Sequence, residues 1–431
     1  MARTYSWGNI PRVDQKVVAF NWADQSLPSD GDSLLPWGLG RSYGDSCVND
    51  GNSVLSMRCL DRLIAFDTEQ GLLRCEAGVS LADILELVVP HGWFLPVSPG
   101  TKYVTVGGAI ANDVHGKNHH LAGSFGCWVE SIDLLRSDDG VIRCSLEQNP
   151  DVFSATIGGL GLTGLILTAT IKLKRIPGPW IDSEVIKFRG LSEFRSLSES
   201  SAASYEYVVA WFDCMGSRAD RVRGLFSRGN HVEGGTLSGT RKRSITIPLM
   251  MPRLLMNPTF VRIFNALYYA KQLAPRVTKR VHYDPFLYPL DSIRQWNRVY
   301  GRAGFYQYQC VVPVSKYDIV EELVERMGRA GIGSFLAVLK EFGSLPSRGL
   351  LSFPRPGITI ALDFPNRGDR TKRLMEDLDK LVMAVHGAVY PAKDARMSVE
   401  VFRESFPRWE EFLSYVDPRF SSSFWRRVNE E

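Results

Sequence analysis

A chain of 431 residues with 44% apolar and 23% charged side chains can bury a sizeable core, and its length favours two or three domains. Fifty-one basic against 47 acidic side chains leave a formal charge of only +4, so bulk electrostatics give no support for a nucleic-acid partner and any anionic partner must be met locally. Seven scattered cysteines with no CxxC pair argue against zinc and dithiol exchange and point to a reducing compartment.

The opening MARTYSWGNIPRVDQ has no signal-like apolar run, and no later stretch offers the ~20 apolar residues of a membrane span. A cytoplasmic protein, at most peripheral on the inner membrane, is the expectation. PWGLGRSYGD at Pro36 to Asp45 is the first of two glycine-rich loops. Arg62 to Asp67 and Leu72 to Ala77 flank the turn Thr68-Glu69-Gln70-Gly71 and predict a hairpin. Ser80 caps a predicted helix with Leu81, Ile84, Leu85 and Val88 at helical spacing, Asp83 as capping-box partner, and Gly92 past its end.

The second glycine-rich loop, Ser98 to His120, joins a Pro-Gly turn, a Gly-Gly pair among small apolar residues, and the cluster His115, Lys117, Asn118, His119 and His120. Glycines let backbone amides approach an extended anionic ligand, because a Cβ would hold the surfaces apart. Two such loops in one half of a chain predict one large phosphate-bearing cofactor. Val129 to Leu135 and Val141 to Ser145 flank Asp138-Asp139-Gly140, a second hairpin signal. Gly159, Gly161 and Gly164 form a literal GxGxxG, yet the following LILTATIKLK alternates at period two like a strand. A dinucleotide fingerprint needs a helix there, so the segment predicts a turn into a strand or a further cofactor contact.

Pro177-Gly178-Pro179 is the clearest linker, and a domain boundary is expected near it. Between Gly234 and Tyr283 there is no acidic residue, while Arg241, Lys242, Arg243, Arg253, Arg262, Lys271, Arg276, Lys279 and Arg280 give nine positive charges. Phe260, Ile263, Phe264, Leu267 and Tyr268 fall on one helical stripe within it. The pattern fits a helix on an anionic bilayer, or equally a domain-packing helix with a solvated basic face.

For chemistry, His115, His119 and His120 could suggest a metal, but no carboxylate partner motif accompanies them and Gly116 interrupts a regular helix; no metal is expected. No GxSxG elbow is present, which disfavours a serine hydrolase. Tyr390, Lys393, Asp394 and Arg396 form a C-terminal polar cluster, and Lys340, Gln307 and Gln309 sit in apolar runs. Each of these fits an alternating strand surface, or a pocket in which a desolvated lysine becomes a usable base.

GLGRSYGD, VTVGGAIANDVHGKNHH, AGSFG, GGLGLTG, YPLDSIRQWNRVYG, QYQCVVP and AKDAR, in this order over most of the chain, together resemble the decaprenylphosphoryl-β-D-ribose 2′-oxidase family, within the vanillyl alcohol oxidase and p-cresol methylhydroxylase superfamily. The resemblance implies an α+β, two-domain p-cresol methylhydroxylase-type FAD-binding fold with an antiparallel-sheet substrate domain. The expected division is 1–178 for FAD, 179–387 for substrate, and a tail, 388–431, returning to the FAD domain. By that resemblance Trp37, Gly38, Leu39, Gly40, Arg41, Ser42, Tyr43, Gly44 and Asp45 wrap the FAD pyrophosphate. Gly100, Thr105, Val106, Gly107, Gly108, Asn112, Asp113, Val114 and His115 line the flavin with Ile166 and Tyr390. Arg41 stands where covalent relatives carry histidine, which implies non-covalent FAD.

The implied reaction is oxidation of the 2′-hydroxyl of a polyprenylphosphoryl-β-D-ribose, the first half of epimerisation to the arabinose donor of cell-envelope arabinan. A short-chain NADH-dependent reductase would complete it. Lys393 is the implied base or substrate anchor, with His115 and Lys117 at the flavin edge and Tyr43, Gln309 and Lys340 orienting the sugar or its phosphate. Ala361 in ITIALDFP departs from the cysteine of mycobacterial members, which leaves hydride transfer untouched but allows a different prenyl carrier. The alternatives are a sugar-lactone or alditol oxidase with a soluble substrate, and a non-enzymatic basic adaptor.

Overall fold

The computed structural model describes residues 5–216, 218–234, 245–252 and 256–429. Strands β1 (Lys16–Ala19), β2 (Leu34–Trp37) and β3 (Ser53–Ser56) form a small parallel sheet in the order β1-β3-β2. The two predicted hairpins are present as β4 (Leu63–Asp67) with β5 (Leu72–Glu76), and β6 (Val129–Arg136) with β7 (Gly140–Ser145). Helix α1 (Leu81–Val88) starts at the expected capping box: the Asp83 N–H donates to Ser80 Oγ, and the Ser80 N–H to the Asp83 carboxylate.

GGLGLTG leads into a strand, β8 (Leu165–Lys172), with Gly158, Gly161 and Gly164 at φ of 72°, 78° and 136°. Such angles suit glycine and preclude the helix that a dinucleotide fingerprint requires. These strands make an antiparallel sheet in the order β4-β5-β8-β6-β7.

From Trp180 onward eight strands form a third, larger sheet, while Ile245–Thr246 and Ile293–Arg294 pair separately. The eight are β9 (Trp180–Arg189), β10 (Tyr207–Phe212), β11 (Arg223–Val232), β12 (Arg276–His282), β13 (Phe305–Val312), β14 (Ala337–Phe342), β15 (Gly357–Pro365) and β16 (Ala388–Val389). Their order is β12-β9-β11-β10-β14-β15-β13-β16, antiparallel throughout. The fold is therefore α+β with antiparallel sheets, as expected.

Helix α2 (Val106–Ala111) lies in the second glycine-rich loop, α3 (Pro258–Ala270) in the basic stretch, and α4 (Tyr317–Ala330) and α5 (Asp369–Met383) between later strands. Leu323 and Val324 of α4 and Leu378 and Val382 of α5 are buried in one cluster with Phe226, Leu339 and Ile360 of the large sheet. Burial of such side chains, about 1.5–3 kcal/mol each, secures that face. Side chains alternate along a strand, so the opposite face is left to the residues between. The register aligns Gln307 with Asp363, Gln309 with Ala361, Ala361 with Val338, Val338 with Trp211, and Val209 with Ser227 and hence Val185 on that face.

Helix α3 attaches through Val261, Asn265 and Tyr269, with Asn265 Nδ2 donating to Asp213 Oδ1 and the Ser334 carbonyl. Its apolar stripe is turned outward: Phe260, Ile263, Phe264, Leu267 and Tyr268 are 41–66% exposed. The stripe serves both readings in part: Phe260 and Phe264 meet Phe335 and Tyr268 meets Trp211 on one side, while the other side of each ring is open. Arg241, Lys242, Arg243 and Arg253 lie outside the described residues. No described helix is long and apolar enough to cross a membrane.

The end of the chain returns to its beginning. The Leu34 N–H donates to the Arg419 carbonyl, the Ser423 N–H to the Val48 carbonyl, and the Arg427 guanidinium pairs with Asp45 at 2.7 Å and Asp394 at 3.1 Å.

Candidate active site

A cavity of about 800 Å³ lies between the two glycine-rich loops and the uncovered face of the large sheet, within the ~300–1,000 Å³ range of ligand and cofactor sites. Strand β2 delivers Trp37 to its wall, and the chain then turns through Gly40 at φ 60°. A Cβ on Gly38 would stand 2.4 Å from Thr105 Oγ1, so glycine here lets the two loops touch. The amides of Gly38 to Ser42 donate to no other described residue, and Trp37 Nε1 is buried without an acceptor. A row of free N–H groups and an orphaned donor on a cavity wall fit the oxygens of a diphosphate.

In the second loop, Thr105 Oγ1 caps α2 by accepting the Gly108 N–H. The Val106 and Gly107 amides are already donated to the Val79 and Ala77 carbonyls. Gly107 and Gly108 thus keep the wall low and do not offer free amides. A Cβ on Gly100 would meet nothing within 4 Å, which leaves room above it. Leu39, Arg41, Ser42, Tyr43, Thr105, Asn112, Val114, Ile166 and Tyr390 all line the cavity, and the Tyr390 hydroxyl donates to the Asn112 carbonyl at 2.8 Å.

Four residues expected to touch the cofactor are absent from the wall. Val106 is core beneath α2, and Gly44 sits so close to Asp394 that a Cβ would overlap its carbonyl. The Asp45 carboxylate is taken by Arg427, and that of Asp113 accepts the Gly126 N–H at 2.8 Å and the Ser352 hydroxyl at 2.6 Å. All four hold the loops in place from behind.

The remaining candidates converge from three parts of the chain. His115 sits between Gln309 Nε2, 2.9 Å from its Nε2, and Lys340 Nζ, 3.0 Å from its Nδ1. A neutral imidazole has one N–H, so the two contacts determine each other: Gln309 donating to Nε2 goes with an uncharged Lys340 accepting from Nδ1–H, whereas a charged Lys340 donating to Nδ1 leaves Nε2–H to meet the amide oxygen of Gln309. Burial, reinforced by the Lys340 charge, holds the His115 pKa well below its usual value. Lys117 donates to the Phe286 carbonyl. Lys393 Nζ lies 3.9 Å from the centre of the Tyr43 ring and hydrogen-bonds no described residue.

Burial pushes Lys117, Lys340 and Lys393 each down to about 7, with neighbouring lysine charges adding to the effect at Lys340 and Asp363 opposing it at Lys393. Three amines in one poorly hydrated space make it a site for an anion, and each can hold or release a proton near neutrality.

The three histidines diverge: His119 Nδ1 accepts the Gly343 N–H, and His120 Nε2 contacts the Tyr205 carbonyl. Among the described residues no three metal-ligating side chains converge. Sequence reasoning did not single out Asp363 or Trp211. Asp363 is fully buried, accepts from Gln307 Nε2 at 2.5 Å and the Tyr300 hydroxyl at 3.3 Å, and burial raises its pKa to about 7. Its signal was its place two residues beyond Ala361, hence on the same strand face.

Comparison with known proteins agrees with this geometry. The FAD binding domain family matches residues 21–145. The decaprenylphosphoryl-β-D-ribose oxidase of Mycolicibacterium smegmatis is 37% identical, over 99% of this chain and 97% of that protein. An uncharacterised protein of Streptomyces coelicolor is 30% identical over 81% of this chain and 100% of its own length. The L-gulonolactone oxidase of Mus musculus is 34% identical over 31% of this chain and 30% of its own. Fold and site thus define an FAD-dependent oxidoreductase. Within that class, the chain belongs to the decaprenylphosphoryl-β-D-ribose oxidase family.

Proposed function

We propose that this protein oxidises the 2′-hydroxyl of a polyprenylphosphoryl-β-D-ribose to the 2′-keto sugar. The observation that carries the reading is an amine-lined cavity end, facing phosphate-ready loops, in a chain collinear with such an oxidase over 99% of its length. Bound FAD supplies the acceptor for the hydride leaving C2′. Trp37 and the Gly38 to Ser42 amides would hold its diphosphate, with Gly100, Gly107, Gly108, Asn112, Ile166 and Tyr390 around the ring. Arg41 offers no nucleophilic nitrogen near neutral pH, so the cofactor is held without a covalent bond through this loop.

Lys393, an amine with no hydrogen bond among the described residues, takes the hydroxyl proton. Tyr43 and Gln309 position the sugar, and Lys117 and Lys340 balance the phosphate charge. His115, clamped between Gln309 and Lys340, orders both. The change from the five-stranded sheet, which ends at Lys172, to the eight-stranded one, which begins at Trp180, supports the division into 1–178, 179–387 and the returning tail 388–431. The ketone product calls for a hydride donor, which a short-chain NADH-dependent reductase would supply. The outward apolar stripe of α3 and its basic surroundings support a peripheral site on an anionic inner-membrane face. The L-gulonolactone oxidase match covers only about a third of the chain and reaches no further than the cofactor chemistry.

Anaerobic mixing with prenylphosphoryl ribose should bleach the flavin. Lys393→Ala should retain flavin absorption while bleaching slows by roughly 100-fold or more. Unchanged bleaching removes Lys393 from the reaction, and faster bleaching by a soluble sugar lactone overturns the substrate.

A further inference from the structure

The uncovered face of the large sheet changes chemistry across its width. At β13, β15 and β14 it presents Gln307, Gln309, Asp363 and Lys340; beyond them, on β14, β10, β11 and β9, it presents Val338, Trp211, Val209, Ser227 and Val185, apolar but for the one serine. Apart from Asp363, each of these side chains lines the same cavity, so one end is polar and the other apolar. The valine side chains of that arm offer a pentose hydroxyl no polar partner.

That arm is covered by Tyr268 of α3, whose ring packs edge-on against Trp211 at 4.7 Å. Tyr268 also belongs to the outward stripe with Phe260, Ile263, Phe264 and Leu267. One apolar surface therefore runs from inside the cavity, across Tyr268, to the exterior. Leu273, three residues past the end of α3, is 92% exposed.

Positive charge borders this surface. Arg276 and Arg280 are engaged by Glu184 and Asp182, whereas Arg262, Lys271 and Lys279 are exposed with no carboxylate within 4 Å among the described residues. Large apolar side chains in water are costly at about 25 cal/mol per Å². Rimmed by cations, they suit the interface of an anionic bilayer, where the stripe is buried among acyl chains and the basic residues meet headgroups.

Building on the oxidase reading above, we infer that the apolar arm is a prenyl channel whose mouth opens at the exposed face of α3. That face lies in an anionic bilayer, and the sugar phosphate is oxidised while the far end of its prenyl chain stays in the lipid. The amines at the polar end fix the phosphate, and the sheet face carries the isoprene units nearest to it.

The experiment compares flavin bleaching of the holoenzyme by methylphosphoryl ribose, the short chain, which carries no isoprene unit, and by decaprenylphosphoryl ribose carried in vesicles of phosphatidylglycerol and phosphatidylcholine. The wild-type protein floats with the vesicles and prefers the long chain. Val185→Trp, which fills the arm, lowers the long-to-short preference by roughly tenfold, the loss expected when two CH₂ groups are no longer buried. The double variant Phe264→Asp and Leu267→Asp, confined to exposed positions, no longer floats. Flotation that survives the double variant, or a chain-length preference that is absent or survives Val185→Trp, overturns the channel and leaves the oxidase reading standing. Failure of both substrates to bleach the wild-type flavin sinks the oxidase reading itself, and this inference with it.

Discussion

The chemistry of single side chains here is governed by water removal. Lys393 and Asp363 both titrate near 7, reached from opposite directions: burial takes the charge from each, and each charge partly restores the other. Asp363→Asn removes the negative charge that raises the lysine, so Lys393 loses its proton at still lower pH. With Lys393 as base, the acid limb of flavin reduction then shifts to lower pH, which stopped-flow rates across a pH series would reveal. A limb that stays in place would show that Asp363 does not act on Lys393. The lysines and His115 were readable as candidates from their polar context. The contact of His115 with Lys340 was not, because 225 residues separate them and only the sheet register brings them together.

At the scale of elements, local chemistry was legible and pairing was not. The α1 capping box and both hairpins follow from residues within a few positions of one another. Alternation after GGLGLTG was enough to reject a fingerprint helix. The apolar stripe of α3 was equally plain, but periodicity states that a stripe exists and not what it faces. Val106, Gly107 and Asp113 show the complementary limit: a glycine-rich loop announces a ligand, while the assignment of its amides to Ala77 and Val79 depends on tertiary contacts. The approach of the two loops at Gly38 gives a direct test. Gly38→Ala places a methyl 2.4 Å from Thr105 Oγ1, forcing the loops apart, and the purified variant should carry much less flavin by visible absorption. Normal flavin content would mean that the loops yield without cost.

Across the whole molecule, the first and last parts of the chain are joined by an ionic cluster. Arg427 stands between Asp45 and Asp394, both buried. Arg427→Ala leaves Asp45 without its cation and Asp394 with only the more distant Arg396, 4.0 Å away, a loss of about 3–5 kcal/mol for a buried pair. The expected results are a lower unfolding temperature and release of FAD on gel filtration, whereas Arg427→Lys should recover part of both. Unaltered cofactor retention would show that the tail only covers the loops. The family resemblance implied the return of the tail, but not the partners of Arg427, since an arginine in a short helix has many available partners.

The same closure has a consequence for biogenesis. Asp45 and the Arg427 that holds it are 382 residues apart, so a nascent chain that has not yet reached Arg427 has a first glycine-rich loop without its ionic brace. Firm retention of the flavin dinucleotide then waits for that residue, and products truncated before it would emerge pale.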